Sequence, residues 1–390
     1  MRAAAITLWL LLAPAVAAAQ EPATPAPPPL PALAEVLEAV RARHDVPALV
    51  AARLADAAIA ETAAVGVRRI GGDARVTVAD RFHLGSCGKA MTATLVARLV
   101  QRKLLRHEST LAELFPELST TMAAGWREVT VRQLLDHRSG LPEHTRSGND
   151  ATRDLDPAEP PRTQRARFVA ALTAEPLAAA PGSARAYSNA GYFLLGAIVE
   201  RVADLPFEQL LRRELLAPLA LEGAGFGPPA GADRVAQPWG HSFLLQLRTP
   251  DDPRATLTAQ PAWYAPAGDL HASVEEWARF AALHLGAAPP ADATHAWFSR
   301  DELAALHRPA PGAADACGFA VTTRPWASGP VLAHHGSSKG WHCLLALSPA
   351  DRSGFLVACN QGGPAAQQAC EETVERLAQR RGAPKNPGRE

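Results

Sequence analysis

The segment HLGSCGKAMTATLVARLV, residues 83–100, predicts a long helix that begins near Ser86 and runs through the middle of the molecule. The run after Lys89 has almost no polar face, which is typical of a buried central helix. Ser86 and Lys89 are three residues apart, so both side chains lie on one helical face. A buried ammonium needs a partner or must lose its proton, and a neutral lysine is a base for an adjacent hydroxyl. The pattern therefore favours a serine nucleophile activated by Lys89.

The same spacing has a purely structural interpretation. Ser86 could cap the helix while Lys89 extends from the first turn toward water. These two residues do not decide between the alternatives by themselves.

A second segment, PGSARAYSNAGYFLLG (181–196), places Tyr187 and Asn189 two residues apart just before a helix. A tyrosine there can pass a proton between the serine, the lysine and a leaving group. An asparagine amide can hold a substrate carbonyl. A single Tyr-x-Asn also has a purely structural interpretation, in which the tyrosine is an edge aromatic residue and the asparagine caps the helix.

A third segment, VLAHHGSSKGWH (331–342), predicts a strand that carries His334, His335, Gly336 and Ser337. A glycine in such a strand lets a substrate lie against the strand edge. The backbone N–H of Ser337 could join that of Ser86 to hold a developing oxyanion. This segment therefore adds candidate binding groups to the candidate nucleophile.

Taken together, Ser-x-x-Lys, then Tyr-x-Asn about 100 residues later, then His-x-Gly before a β-hairpin resemble the serine β-lactamase and penicillin-binding protein superfamily. The resemblance is closest to class C β-lactamases, D,D-peptidases and related esterases, and it covers about residues 33–380. LLDHRSGLP (134–142) and PAGDLHASVEEWARF (266–280) support it.

The resemblance implies roles for five residues, namely Ser86, Lys89, Tyr187, Asn189 and His334, and Gly336 and Ser337 join them as candidates from the strand pattern above. Ser86 is the expected nucleophile, Lys89 and Tyr187 the coupled acid/base pair. The expected substrate-binding residues are Asn189, His334, Gly336 and Ser337. Which member of the Lys89–Tyr187 pair takes the serine proton stays open.

The implied activity is that of a serine hydrolase that forms an acyl-enzyme with D-alanyl peptides or small esters and amides, without a cofactor or metal. One alternative is a class C-type β-lactamase. However, no lysine here is followed by Ser/Thr-Gly, and His335 stands where relatives often have a hydroxyl for the substrate carboxylate. A non-catalytic sensor of penicillin or peptidoglycan is the alternative from another functional class.

The order of predicted elements favours an α+β fold, because β-like segments lie at both ends of the chain and helices lie between them. We expect an antiparallel sheet flanked by helices, with a mainly helical lobe of about residues 100–270 inserted into the domain that spans 33–380. The 390 residues carry 39 basic and 39 acidic side chains, so no basic surface points to nucleic acid.

The chain begins with MRAAAITLWLLLAPAVAAA, which predicts a signal peptide at residues 1–19 and export to the periplasm or medium. A proline-rich linker at 20–32 and a polar tail at 381–390 flank the domain. No membrane span is expected, the expected partner is a peptide or small-molecule substrate, and the oligomeric state is left open.

Five cysteines leave at least one free thiol in an exported protein. A turn centred near Asp351 would place Cys343 opposite Cys359, where a cross-strand disulfide is conceivable but two buried free thiols are favoured. We also expect Cys87 to be a core residue, and Asp136 and His137 to be helix-end residues.

Overall fold

The computed structural model describes residues 32–142, 155–230, 236–253, 255, 260–287, 298–310, 313 and 315–380. The predicted signal peptide, the linker up to residue 31 and the polar tail lie outside these residues. Within them, no helix combines the length and the apolar character that crossing a membrane requires.

Two sets of regular elements build the described part of the chain. The α-helices are α1 (Leu33–Arg43), α2 (Gly88–Gln101), α3 (Leu111–Leu114), α4 (Val131–Leu135), α5 (Pro161–Ala174), α6 (Asn189–Ala203), α7 (Phe207–Leu211), α8 (Ala265–Gly268), α9 (Val274–His284), α10 (Arg300–His307) and α11 (Pro364–Gln379). The strands are β1 (Ala48–Ala55), β2 (Ala58–Gly66), β3 (Arg81–His83), β4 (Gly225–Phe226), β5 (His241–Leu244), β6 (Leu247–Pro250), β7 (Leu270–Ser273), β8 (Asp315–Ala316), β9 (Phe319–Thr322), β10 (Val331–Ser338), β11 (Trp341–Ser348) and β12 (Ser353–Cys359).

The main sheet has seven strands in the order β2-β1-β12-β11-β10-β9-β8, and each neighbouring pair is antiparallel. Both ends of the chain therefore contribute to one sheet, which confirms the predicted fold class. A smaller sheet, β3-β7-β4, and the hairpin β5-β6 complete the β-structure of the described residues. Helices α3 to α7 lie between β3 and β4 in the chain, whereas the exact limits of the helical lobe stay a prediction.

The main sheet separates two apolar layers because side chains alternate between its faces. Leu49 and Ala51 of β1 pack with the terminal helices α1 and α11. Val50 and Ala52 of the same strand pack on the opposite side, in the large core that contains α2 and α9. All residues of α2 from Gly88 to Ala97 are buried, as the apolar run in the sequence predicts.

A buried ion pair joins helices α5 and α6, which pack in the large core that also contains α2 and α9. Arg165 has no exposed surface, and its guanidinium donates to Glu200 at 2.6 and 3.1 Å. The same guanidinium donates to the carbonyl of Trp263 at 3.2 Å, and Glu200 also accepts from the backbone N–H of Phe207 at 2.9 Å. Arg165 also pairs with Glu208 at 3.0 Å, so the larger loss follows from removing Arg165. Removing the partner of a buried charge typically costs about 3–5 kcal/mol, because that charge, here Glu200, is left buried and unpaired.

The register of β11 and β12 shows that the predicted position of Cys343 opposite Cys359 is wrong, whereas the favoured prediction of two buried free thiols is confirmed. Cys343 lies opposite Ala358, and Cys359 lies opposite His342. The turn between Ser348 and Ser353 contains four residues, so its centre falls half a residue earlier than expected. Moving the centre by half a residue shifts the strand partner of each residue by one position, and a shift of one position moves a side chain to the other face of a sheet. Cys343 and Cys359 therefore lie in different apolar layers, and all five cysteines are buried free thiols.

Candidate active site

The turn before α2 carries Ser86. Residues Gly85–Cys87 form one 3₁₀ turn that leads directly into α2. Gly85 has a φ of +47°, and a Cβ there would lie 2.6 Å from the backbone nitrogen of Ser337. A side chain at this position would therefore push strand β10 away from the turn. Close approach of the two backbones brings the N–H of Ser337 next to the turn that contains Ser86.

Lys89 lies in the core directly behind Ser86. Its side chain has no exposed surface, and its Nζ lies 3.1 Å from Ser86 Oγ and 2.5 Å from the carbonyl oxygen of Ala267. Burial lowers the pKa of Lys89 to about 7, because neither of these contacts is an anion that could compensate for lost water. At pH 7.5 most of these amines would be neutral and able to accept a proton.

Tyr187 approaches Ser86 from the segment before α6. Its phenol is hydrogen-bonded to the Ser86 hydroxyl, and burial raises the pKa of the phenol above its ordinary value. Lys89 Nζ lies 5.1 Å from the centroid of the Tyr187 ring. The structure thus brings Ser86, Lys89 and Tyr187 together, with a basic amine and a protonated phenol on the same hydroxyl.

His137 holds the Tyr187 segment in place. It follows α4 as a helix-end residue, as expected, with a φ of +56°. Its Nδ1 accepts the backbone N–H of Ser188 at 3.2 Å, and its ring packs against Tyr187 with centroids 4.4 Å apart and planes tilted by 36°. Burial lowers the pKa of His137 well below its usual value, so the ring is neutral. No local sequence pattern indicates this contact, because the two residues are 50 positions apart.

Asn189 begins α6 and has one of its two amide atoms engaged. Its Nδ2 donates to Tyr264 Oη at 2.7 Å. Its Oδ1 is buried and has no hydrogen-bond partner among the described residues. The predicted contact of this amide with a substrate carbonyl stays a prediction. Tyr264 was not predicted, since nothing local distinguishes it from a core aromatic residue.

The third motif lies on β10, where successive residues point to opposite faces. The ring of His334 faces Tyr187, with centroids 6.2 Å apart. His335 Nε2 lies 2.9 Å from Glu371 Oε1, and its Nδ1 lies 3.1 Å from His342 Nε2. The side chain of His335 also borders the cavity in front of Ser86.

Gly336 is buried behind the turn that carries Ser86. A Cβ on Gly336 would lie 2.0 Å from the carbonyl oxygen of Leu84 and 2.4 Å from Cys343 Sγ. Packing against Leu84 therefore explains this glycine without a contact to substrate.

A cavity of about 410 Å³ opens in front of Ser86. Four of the predicted residues line it, namely Ser86, Tyr187, His334 and Ser337. Charged side chains that were not predicted also line the cavity: Arg185 with its partner Asp315, and Arg324, which lies 3.4 Å from Glu371 outside the lining. These pairs join distant segments, so no sequence spacing points to them.

The described residues also limit what else could bind here. Within the described ranges, no group of three or more His, Cys, Asp or Glu side chains is placed to hold a metal ion. The groups closest to the candidate nucleophile are the Ser86 hydroxyl, the Lys89 amine, the Tyr187 phenol and the backbone N–H groups of Ser86 and Ser337. Such a set suits attack of a serine on a carbonyl carbon.

Comparison with known proteins agrees with this geometry. The Beta-lactamase family model matches residues 33–379. Penicillin-binding protein 4 of Amycolatopsis lactamdurans is 29% identical over 337 residues, which cover 84% of this chain and 84% of that protein. The D-alanyl-D-alanine-carboxypeptidase/endopeptidase AmpH of Escherichia coli K12 is 26% identical over 163 residues, 42% of this chain and 41% of AmpH. The fold matches that of the octameric penicillin-binding protein homologue from Pyrococcus abyssi, with a TM-score of 0.71 at 19% identity over 90% of this chain and 77% of that one.

Proposed function

Because this chain belongs to the beta-lactamase family of serine hydrolases, we propose that it hydrolyses D-alanyl peptides, or small esters and amides, through an acyl-enzyme on Ser86. The observation that supports this proposal most strongly is the 3.1 Å separation between a fully buried Lys89 Nζ and Ser86 Oγ. A binding module has no need to bury an amine against a hydroxyl, since burial of an ionisable group is costly.

In the first step Ser86 Oγ attacks the substrate carbonyl carbon while its proton moves to Lys89. The neutral amine donates to Ala267 and keeps its lone pair for this proton. Of the coupled pair, Lys89 is the member that can accept the proton. Burial lowers its pKa to about 7, so the neutral amine is present near neutral pH, whereas burial raises the pKa of Tyr187 and keeps the phenol protonated. A base with a pKa near the working pH combines availability with driving force.

The tetrahedral intermediate carries a negative oxygen. We assign its stabilisation to the backbone N–H groups of Ser86 and Ser337, which the close packing of Gly85 on β10 supports. One preorganised donor of this kind is worth about 3–4 kcal/mol of barrier. When the intermediate collapses, the bond to the leaving group breaks, and that group takes a proton from the Tyr187 phenol, which Lys89 replaces.

A water molecule then attacks the acyl-enzyme. The Lys89–Tyr187 pair takes its proton, the acyl–Oγ bond breaks, and the proton returns to Ser86. The product is a free acid, and the site regains its starting protonation. Both halves of the reaction thus use the same pair in opposite directions.

The choice of substrate follows from the third motif and from the relatives. Two relatives named above are a penicillin-binding protein and a D-alanyl-D-alanine carboxypeptidase/endopeptidase, so D-alanyl peptides are the first candidates. His334-His335-Gly336 replaces a Lys-Thr-Gly motif, and His335 is paired with Glu371. We therefore expect β-lactams to acylate Ser86 and to be released slowly.

Export is part of the same proposal, since D-alanyl peptides occur in the cell wall. The segment at residues 1–19 has the composition of a signal peptide. Expression with the native N-terminus, followed by mass analysis of the periplasmic fraction, tests this point. A mature protein that begins after residue 19 supports export, whereas an intact N-terminus in the cytoplasm contradicts it.

One experiment tests the reaction. The purified protein and its Ser86→Ala variant are each mixed with benzylpenicillin, a D-Ala-D-Ala peptide and a p-nitrophenyl ester, and product release and intact mass are followed. We expect turnover of peptide or ester and a penicillin adduct on the native protein, with neither on the variant. Rapid penicillin turnover would favour the β-lactamase alternative. Tight binding without turnover or adduct would favour the sensor alternative.

A further inference from the structure

A buried histidine and aspartate lie directly behind the turn that carries Ser86. His83 is 4% exposed and Asp269 is 3% exposed, and His83 Nε2 lies 3.2 Å from Asp269 Oδ1. The other ring nitrogen, Nδ1, accepts the backbone N–H of Gly85 at 3.0 Å. The pair thus reaches the residue that immediately precedes Ser86.

The hydrogen bonds fix the tautomer of His83. A backbone N–H can only donate, so Nδ1 carries a lone pair and the ring proton is on Nε2. That proton then points to Asp269. A doubly protonated ring would have no acceptor for Gly85. The chain Asp269–His83–Gly85 is therefore consistent only with a neutral ring in the Nε2–H form.

The segment that carries Asp269 also contacts Lys89, the proposed base. The carbonyl of Ala267 accepts from Lys89 Nζ at 2.5 Å, and the carbonyl of Leu270 accepts from Leu84 N at 2.7 Å. A Cβ on Gly268 would lie 2.8 Å from the carbonyl oxygen of Gly85. Residues 267–270 therefore contact the nucleophile turn and Lys89 at once, and the His83–Asp269 hydrogen bond joins the two segments at the turn itself.

Packing alone does not account for this pair. An apolar residue at position 83 would fill the space without the desolvation of two ionisable groups. It would also leave the Gly85 N–H buried without an acceptor, which is unfavourable because a buried unpaired donor keeps its full desolvation cost. The lost acceptor matters most here because the turn is also held against Ser337, whose N–H is the second proposed oxyanion donor.

We propose that His83 and Asp269 are positioning residues that orient the nucleophile turn, acting on Ser86 through the backbone of Gly85. This proposal rests on the proposed role of Ser86 as nucleophile. Loss of the Gly85 hydrogen bond lets the turn shift relative to Lys89 and Ser337. A displacement of about 1 Å at a reacting group can lower a rate by about 100-fold. The pair should therefore affect the rate of acylation and leave substrate affinity nearly unchanged.

Paired substitutions separate positioning from packing. His83→Leu and Asp269→Ala remove the acceptor for Gly85 and the acceptor for His83, respectively. His83→Asn keeps an oxygen near the position of Nδ1, and Asp269→Asn keeps an oxygen for the Nε2 proton. The matched control is His284→Asn, since His284 is buried and contacts α2 through Thr94 at 3.1 Å, well beyond Lys89.

The measured quantities are the burst rate constant for Ser86 acylation by a p-nitrophenyl ester, its half-saturation concentration, and the melting temperature. We expect the rate constant to fall about 10–100-fold in His83→Leu and Asp269→Ala, with the half-saturation concentration within about twofold. His83→Asn, Asp269→Asn and His284→Asn should stay within about fivefold of the native rate. Native rates in His83→Leu, or equal losses in the conservative and non-conservative variants, would overturn the proposal.

Two further readouts keep the test independent of folding defects and of the proposed function. Two-bond ¹H–¹⁵N spectra of ¹⁵N-histidine protein at neutral pH should show His83 as the Nε2–H tautomer, and an Nδ1–H tautomer or a charged ring would overturn the proposal in the native protein itself. Ser86→Ala should abolish the burst. If it does and the His83 variants are normal, only the positioning role fails; if the burst persists in Ser86→Ala, the nucleophile assignment fails as well.

Discussion

Lys89 Nζ and Ser86 Oγ lie 3.1 Å apart at the buried start of α2, and the lysine side chain has no exposed surface. An amine in this position is poorly solvated, and burial lowers its pKa to about 7. The proposed activity depends on this relationship, because a charged amine could not take the proton of Ser86. The predictions below follow from it and from the groups around it.

The first prediction concerns the pH dependence of acylation. Lys89 is protonated and inactive below its pKa, so kcat/KM should rise about tenfold per pH unit up to pH 7 and then level off. Lys89→Arg keeps a permanent charge and should lose at least about 1,000-fold at every pH. The check is a pH–rate profile of ester hydrolysis for both proteins. A native profile that is flat from pH 5.5 to 8.5 would contradict the account.

The second prediction concerns the loss of folding stability that results from burying Lys89. Its folded-state pKa, about 7, lies below its usual value of 10.5. Between these limits only the unfolded chain binds the proton, so the free energy of unfolding should rise with pH by about 1.4 kcal/mol per unit. Lys89→Met should be inactive yet about 2–4 kcal/mol more stable at pH 7, and should lack this slope. Urea unfolding at pH 7, 8 and 9 measures both quantities, and a destabilised Lys89→Met variant would count against a neutral buried amine.

The third prediction concerns the leaving group. If Tyr187 delivers its proton to the departing group, Tyr187→Phe should affect amides more than activated esters, because p-nitrophenolate leaves without a proton. We expect a loss of about 1,000-fold for a D-alanyl peptide and at most about 50-fold for a p-nitrophenyl ester. Steady-state rates on both substrates measure the ratio. Equal losses on both would indicate that Tyr187 acts before the leaving group departs.

The fourth prediction concerns acid stability. Burial lowers the pKa values of His241, His271 and His342 to about 4, against a usual value of 6.5. Below pH 6.5 the unfolded chain gains protons that the folded chain does not take up, so the free energy of unfolding should fall steeply between pH 6.5 and 4, by up to about 1.4 kcal/mol per pH unit for each histidine. Above pH 6.5 these groups contribute no slope.

Urea unfolding across pH 4–8 checks this slope, and a matched variant separates one histidine from the rest. His271 Nδ1 contacts the carbonyl of Gly227 at 2.8 Å, a contact that an asparagine amide can replace. His271→Asn should therefore lower the slope by about one proton without unfolding the protein. A stability that does not change from pH 6.5 to 4.5 would show that the buried rings titrate normally.

Local sequence patterns predicted the elements that carry the candidate site. The apolar run after Lys89 predicted a buried helix, and the β-like segments at both chain ends predicted one antiparallel sheet. Ser86, Lys89 and Tyr187 lie where these elements meet. The residue spacing within each motif predicted these positions, because the short segment around each side chain determines where that side chain lies.

Contacts between distant segments were beyond the reach of the sequence. The ring of His137 on Tyr187, Tyr264 on Asn189, and His83 on Asp269 each join residues at least 50 positions apart. The cysteine register failed for a different reason, since a four-residue turn in place of an odd-numbered one moves every later side chain to the opposite face.

The most direct test of the central claim is the titration of Lys89 itself. The chain has only four lysines, Lys89, Lys103, Lys339 and Lys385, so ¹³Cε-lysine labelling gives four resonances, and the spectrum of Lys89→Met assigns one of them. We predict that the Lys89 resonance titrates with a pKa of about 7. A Lys89 resonance that stays protonated to pH 10 would contradict it.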